Sequence, residues 1–163
     1  MAQRVVVLGA TGVFGSRIAA RLAHDGRFEL VLAGRREAPL EALRASIGDA
    51  RVRIRALDTA CAGFPAALAA LEPQLVIHAA GPFQGQDYRV AEACIDAGSD
   101  YVDLADGRDF VCGFSRLDER ARAAGRLLVS GASSVPALSS AAVDALLPRF
   151  GSLDAIEHAL NPG

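Results

Sequence analysis

An unbroken apolar run, Val5, Val6, Val7 and Leu8, leads straight into three glycines at Gly9, Gly12 and Gly15. Few backbones accommodate that order. The run has the length and β-branched character of a buried strand, and the glycines read as a tight turn into a helix. Each glycine has its own reason to lack a Cβ. Gly9 lets the chain turn as the strand ends, Gly12 lets backbone approach a pyrophosphate, and Gly15 lets the helix pack on the strand. The free N–H groups at the helix start, with Thr11, Val13 and Phe14 in the turn, suit a phosphate. Phe14, Ile18 and Leu22 fall on one helical face and Arg17 and Arg21 on another, as an amphipathic helix requires. The spacing is Gly-x-x-Gly-x-x-Gly, a variant of the more familiar Gly-x-Gly-x-x-Gly.

The rest of the chain repeats the alternation. Strands are predicted over residues 4–8, 28–33, 52–57, 75–79, 101–104 and 127–129. Helices are predicted over 13–24, 39–47, 64–71, 88–97, 110–124 and 137–147. The third strand alternates apolar and charged residues, as an outer strand does. Strand followed by helix, six times, implies a doubly wound parallel α/β sheet covered on both faces, with strand order 3-2-1-4-5-6. Residues 1–150 complete that domain. Residues 153–163 start like another strand, so 151–163 is expected to open a second, truncated domain.

Composition narrows the partners. The 163 residues are 52% hydrophobic and carry a net charge of −2, without basic runs, so nucleic acid is not expected as a ligand. No apolar run is long enough to span a membrane. The chain opens directly on a strand with no secretory signal, and a cytoplasmic location is expected. Cys61, Cys94 and Cys112 lack metal-ligand spacing and read as reduced, mostly buried thiols; no metal site is expected. All seventeen basic residues are arginine.

The ends of the strands carry the candidate site. About 20 residues after the glycine turn, where an acid would hold the ribose of NAD, stand Arg35 and Arg36. Two guanidiniums suit a 2′-phosphate and point to NADP rather than NAD. Asp58, with Thr59, ends the third strand; Asp58 either accepts a hydrogen bond from the adenine amino group or caps the next helix. Ala79, Ala80, Gly81, Pro82 and Phe83 follow the fourth strand at the switch point, where small residues let a cofactor lie along the strand ends. His78 precedes them and reads more readily as a packed, hydrogen-bonded side chain than as a catalyst. Asp103, Asp106, Ser130, Ser133 and Ser134 face the same edge, either touching nicotinamide or substrate or serving as caps and turn formers. No catalytic residue is assigned.

Several segments together resemble the N-terminal NAD(P)-binding domain of the saccharopine dehydrogenase family. They are the turn from Gly9 to Gly15, the stretch Leu32 to Arg35, and Val76 to Phe83 with its Ala-Ala-Gly-Pro-Phe loop. Residues 90–98, Tyr101 to Leu104 and Gly131 to Ser139 extend the likeness over nearly the whole chain. His78 stands where the family is expected to have asparagine. The resemblance implies a two-domain oxidoreductase whose second domain contributes substrate contacts and often the dimer interface. The glycine turn also occurs in extended short-chain dehydrogenases and epimerases. Their Tyr-x-x-x-Lys pair has no counterpart here, since Glu92 follows Tyr88 and Ala105 follows Tyr101. The expected function is NADP(H)-dependent hydride transfer to or from a small molecule. A non-catalytic NADP(H)-sensing protein is the alternative.

Overall fold

The computed structural model describes residues 2–157 and 159. Six strands form one parallel sheet in the order β3-β2-β1-β4-β5-β6. They are β1 (Gln3–Leu8), β2 (Phe28–Gly34), β3 (Arg53–Ala56), β4 (Leu75–His78), β5 (Asp100–Asp103) and β6 (Leu128–Val129). Helices α1 (Val13–Ala23), α2 (Glu37–Ile47), α3 (Phe64–Ala69), α4 (Arg89–Asp96), α5 (Arg108–Gly113) and α6 (Asp118–Ala123) make the connections, and α7 (Ser139–Leu146) follows β6. The expected doubly wound architecture is the one observed.

Residues of the central strands alternate between two cores. Val6, Leu8, Val31, Ala33 and Val76 join the core that also holds α3, α4 and the aromatic cluster of Tyr101, Phe110 and Phe114. Val5, Val7, Leu30 and Leu32 join the opposite core with Ala19, Ala23 and Leu40 from α1 and α2. A strand buried on both faces has no polar side, which explains the unbroken apolar run. Each of Val5, Val6, Val7 and Leu8 contributes about 1.5–3 kcal/mol of burial. On edge strand β3, Arg53 and Arg55 are exposed while Ile54 is half-buried. The register sets Leu8 beside both Ala33 and His78, so β1, β2 and β4 end together and their loops converge.

Four expectations are corrected. The packing stripe of α1 is Gly15, Ala19 and Ala23, with Ile18 and Leu22 at its margin and Phe14 exposed. Small residues take the stripe because the helix approaches the sheet closely. The helix expected over 110–124 is broken into α5, a 3-10 turn at Phe114–Leu117, and α6. Gly113 marks the break, and the tighter turn carries both Phe114 and Leu117 into the core. The last helix starts at Ser139. Val135 ahead of Pro136 is extended, as the proline ring demands, and interrupts the helical turn at Ser134–Leu138. Of the cysteines, only Cys94 is buried; Cys61 and Cys112 lie on exposed positions beside a turn and on the outer side of α5.

Of the stretch expected to open a second domain, residues 158 and 160–163 lie outside the described residues, and 151–157 hold neither helix nor strand. Among the described residues no helix is long and apolar enough to cross a membrane, and no cluster of three metal-ligating side chains occurs.

Candidate cofactor-binding site

The three glycines do different work. Gly9 has φ +75°, and a Cβ there would come 2.8 Å from the Cα and N of Ala80. Only glycine lets the end of β1 pass so close to the loop after β4. A methyl at Gly15 would overlap the Gly9 carbonyl oxygen and come 2.9 Å from the Ala10 Cα, so α1 rests directly on the turn. At Gly12 only the Gly9 carbonyl oxygen, at 3.3 Å, lies near. Gly12 keeps the approach open to something outside the fold.

The turn is held from behind. Gly9 and Ala10 both donate to the Ala33 carbonyl, at 3.0 and 3.1 Å, and Ala79 donates to Leu8 at 2.9 Å. In front, the N–H groups of Thr11, Val13 and Phe14 have no carbonyl partner among the described residues, and Gly12 caps α1 without a side-chain hydrogen bond. An 11-residue helix thus presents unpaired donors and its positive end at the mouth of the turn. That is the electrostatic character of a phosphate seat.

A cleft of about 470 Å³ opens there. It brings together Gly9, Thr11, Gly12, Arg35, Asp58, Thr59, Ala79, Ala80, Gly81 and Pro82 of the sequence-derived candidates. Its size is that of ordinary small-molecule sites. Five candidates do not line it. Gly15 is buried under the turn, and Val13 and Phe14 point along the outside of α1. Arg36 is exposed at the N-cap of α2. Phe83 is buried, its ring edge-on to His78 at 5.0 Å between centroids, and anchors the loop from below.

Neither Arg35 nor Arg36 has an ion-pair or side-chain hydrogen-bond partner among the described residues. Arg4, Arg27, Arg44, Arg51, Arg53, Arg89, Arg120 and Arg122 all bind carboxylates. Arg35 thus stands in the cleft wall without an ion pair, with Asp58 lining the same cleft. Asp58 accepts from the Ala60 N–H at 3.0 Å, a turn-forming bond that engages one carboxylate oxygen and leaves the other. Sequence reasoning missed Gln86, which also lines the cleft. Its side-chain amide donates to the carbonyls of Ala80 and Pro82, at 3.0 and 2.5 Å, and braces the loop. A glutamine beyond the glycine-containing loop carries no sequence signal of that kind.

Toward β5 and β6 the cleft continues into a chamber of about 520 Å³, sharing Ala79, Gly81 and Pro82. Phe14, Phe83, Gln84, Leu104, Asp106, Ser133, Ser134 and Val135 complete its walls. Beneath it lies a buried network. Tyr101 donates to Asp103 Oδ2 at 2.9 Å and meets His78 Nδ1 at 3.1 Å. Asp103 Oδ1 accepts from the N–H of Ala105 and Gly131, at 2.9 and 2.8 Å, and from Ser130 Oγ at 3.0 Å. Of the two roles open to Asp103 and Ser130, both serve here as turn formers, tying the loop after β6 to the end of β5.

His78 is the packed side chain expected, with Nε2 buried and unpartnered. Burial holds its pKa down to about 4 from the ordinary 6.5, against the opposing pull of the Asp103 charge. The neutral ring is thus favoured by folding. Its contribution is fully present above pH 6.5 and is lost as pH falls toward 4, where the folded protein also takes up the proton. The loss amounts to about 3 kcal/mol at most. His78→Asn should flatten this part of the stability curve, read as urea unfolding free energy from pH 4 to 7. An unchanged slope would place the titration elsewhere.

The fold and the cleft together define a doubly wound dinucleotide-binding domain. The chain belongs to the saccharopine dehydrogenase NADP binding domain family, whose model matches residues 5–131. Its cofactor is NADP. A trans-acting enoyl reductase of Mycobacterium tuberculosis (strain ATCC 25618 / H37Rv) is 35% identical over 103 residues, 61% of this chain and 24% of that protein. The chain thus spans about a quarter of the length of such curated relatives. Among solved structures, apo saccharopine dehydrogenase (L-Glu forming) from Saccharomyces cerevisiae superposes with TM-score 0.71 at 18% identity. It covers 90% of this chain and 32% of that one. Biliverdin reductase from Synechocystis sp. PCC 6803, solved with biliverdin and NADP+, gives TM-score 0.55 at 26% identity over 79% of this chain and 37% of that one.

Proposed function

We propose that the chain is the cofactor-binding part of an NADP(H)-dependent reductase, over residues 1–150, with 151–163 leading into a region that adds substrate contacts and a dimer interface. The observation that carries this is one cleft joining the unpaired N–H donors of the glycine turn to the guanidinium of Arg35, which has no ion pair among the described residues. The pyrophosphate is assigned to the turn at Gly9 to Gly15. Arg35 holds the 2′-phosphate, with Arg36 adding charge from the outside. Asp58 and Thr59 flank the adenine, and the loop Ala79 to Phe83 lies along the ribose and nicotinamide. When bound, the nicotinamide supplies the hydride, and the chain's part is to place it. The likeness to an enoyl reductase supports a carbon–carbon double bond as acceptor. Three unpaired cysteines support a cytoplasmic setting.

A regulatory reading is favoured by one feature. Asp106 is the single ionisable side chain among the described residues lining the chamber toward β5 and β6. Incubation of the whole protein with NADPH and a trans-2-enoyl thioester separates the two. NADPH consumption matched by saturated thioester supports the reductase. Tight NADPH binding without consumption across enoyl, imine and carbonyl acceptors favours an NADP(H) sensor.

A further inference from the structure

The chamber on the β5 and β6 side does not end at Phe14. It runs on, sharing Phe14, Leu104, Ser133 and Ser134, into a groove of about 480 Å³ between the start of α1 and the segment entering α7. We propose that this groove seats an uncharged, apolar chain of the substrate, with the reacting end in the chamber. The proposal rests on the cofactor reading above for the position of the reacting end.

The lining argues for that chemistry. Ile18, Ala132, Ala137 and Leu138 complete the groove with the shared residues, and none of its lining residues is ionisable. A substrate portion bearing carboxylates or an ammonium group would find no countercharge there, and burying it unpaired is costly. An apolar chain meets apolar side chains at Phe14, Ile18, Leu104, Ala132, Ala137 and Leu138. Phe14 is 62% exposed and Leu138 67% exposed, although each is a large hydrophobic side chain. Single exposed hydrophobics are ordinary, but two facing across one continuous groove mark a binding surface. The hydroxyls of Ser133 and Ser134 stand where groove and chamber join, the place for the one polar group such a chain would carry. Continuity with the cofactor cleft, through Ala79, Gly81 and Pro82, makes a substrate chain the occupant rather than a protein segment.

Calorimetric titration with N-acetylcysteamine thioesters of crotonic and trans-2-dodecenoic acid, with and without NADP+, tests the proposal. The longer thioester should bind at least about tenfold more tightly, well within the roughly fourfold per methylene that full burial would give. Leu138→Asp, at an exposed position, should keep the fold and the NADPH affinity and erase most of the chain-length difference. Equal affinity for the two thioesters would overturn the proposal. So would a chain-length effect that survives Leu138→Asp, or a Leu138→Asp effect confined to dissociating a dimer in sedimentation, which would make the groove a contact between copies. A chain-length effect lost in Leu138→Asp in a protein that binds no NADPH would uphold the groove and overturn only the cofactor reading.

Discussion

Replacing Arg35 by Asp is expected to weaken NADPH binding by at least about 100-fold while changing NADH binding by less than about fivefold. A hydrogen bond to a charged group is worth about 1.5–3 kcal/mol, and the substitution also sets a carboxylate against the 2′-phosphate. Together these exceed the roughly 2.7 kcal/mol that a hundredfold change requires. NADH has no such phosphate, and a carboxylate at this strand end can accept from ribose hydroxyls instead. Arg35 is exposed and has no side-chain partner among the described residues, so the fold should not register the change. Arg36→Asp should act in the same direction and more weakly, because Arg36 sits outside the cleft wall. Parallel titrations with the two cofactors check both variants. An equal loss of NADPH and NADH would remove the 2′-phosphate role.

Gly15→Ala is expected to cost more than about 3 kcal/mol of stability, above the usual range for overpacking. The added methyl meets backbone, the Gly9 carbonyl and the Ala10 Cα, which cannot rotate away as a side chain could. Relief requires α1 to lift from the turn, which would also displace the unpaired N–H groups. Unfolding in urea should show the stability loss, with cofactor binding lost alongside. Gly12→Ala provides the contrast. Its methyl meets only one oxygen, at 3.3 Å, so stability should change by less than about 1 kcal/mol. Binding of NADPH and NADH should nonetheless fall together, because the methyl occupies the approach to the phosphates. A Gly15→Ala protein of wild-type stability would mean that the turn and helix are less closely packed than the geometry requires.

The architecture was legible because its determinants are local and repeated. Val5 to Leu8 read as a buried strand, and the later strands, β3 apart, were bounded by glycine or proline. The order of the strands followed from parallel crossovers, not from any residue. The cleft was legible wherever small residues and charge sit at strand ends, as at Gly12, Arg35 and Ala79. What stayed hidden depends on three-dimensional neighbours. Nothing in the sequence says that Gln86 turns back to brace Ala80 and Pro82. Nor does it say that Asp103 spends its carboxylate on Tyr101, Ala105, Ser130 and Gly131 and is therefore a structural group. Phe14 was misjudged for the same reason. Helical periodicity groups it with Ile18 and Leu22, but the close approach allowed by Gly15 rotates the buried stripe onto Gly15, Ala19 and Ala23. Turned outward, Phe14 forms part of the wall of the apolar groove.

The central claim is that one cleft joins a pyrophosphate seat to a 2′-phosphate seat. Titrating the protein with NADPH and with NADH, read by the cofactor's own fluorescence, tests it most directly, since the chain has no tryptophan to interfere. The account predicts saturable NADPH binding at least about tenfold tighter than NADH, the contribution of a single charge-assisted contact. Equal affinity for the two, or binding of neither, would contradict it.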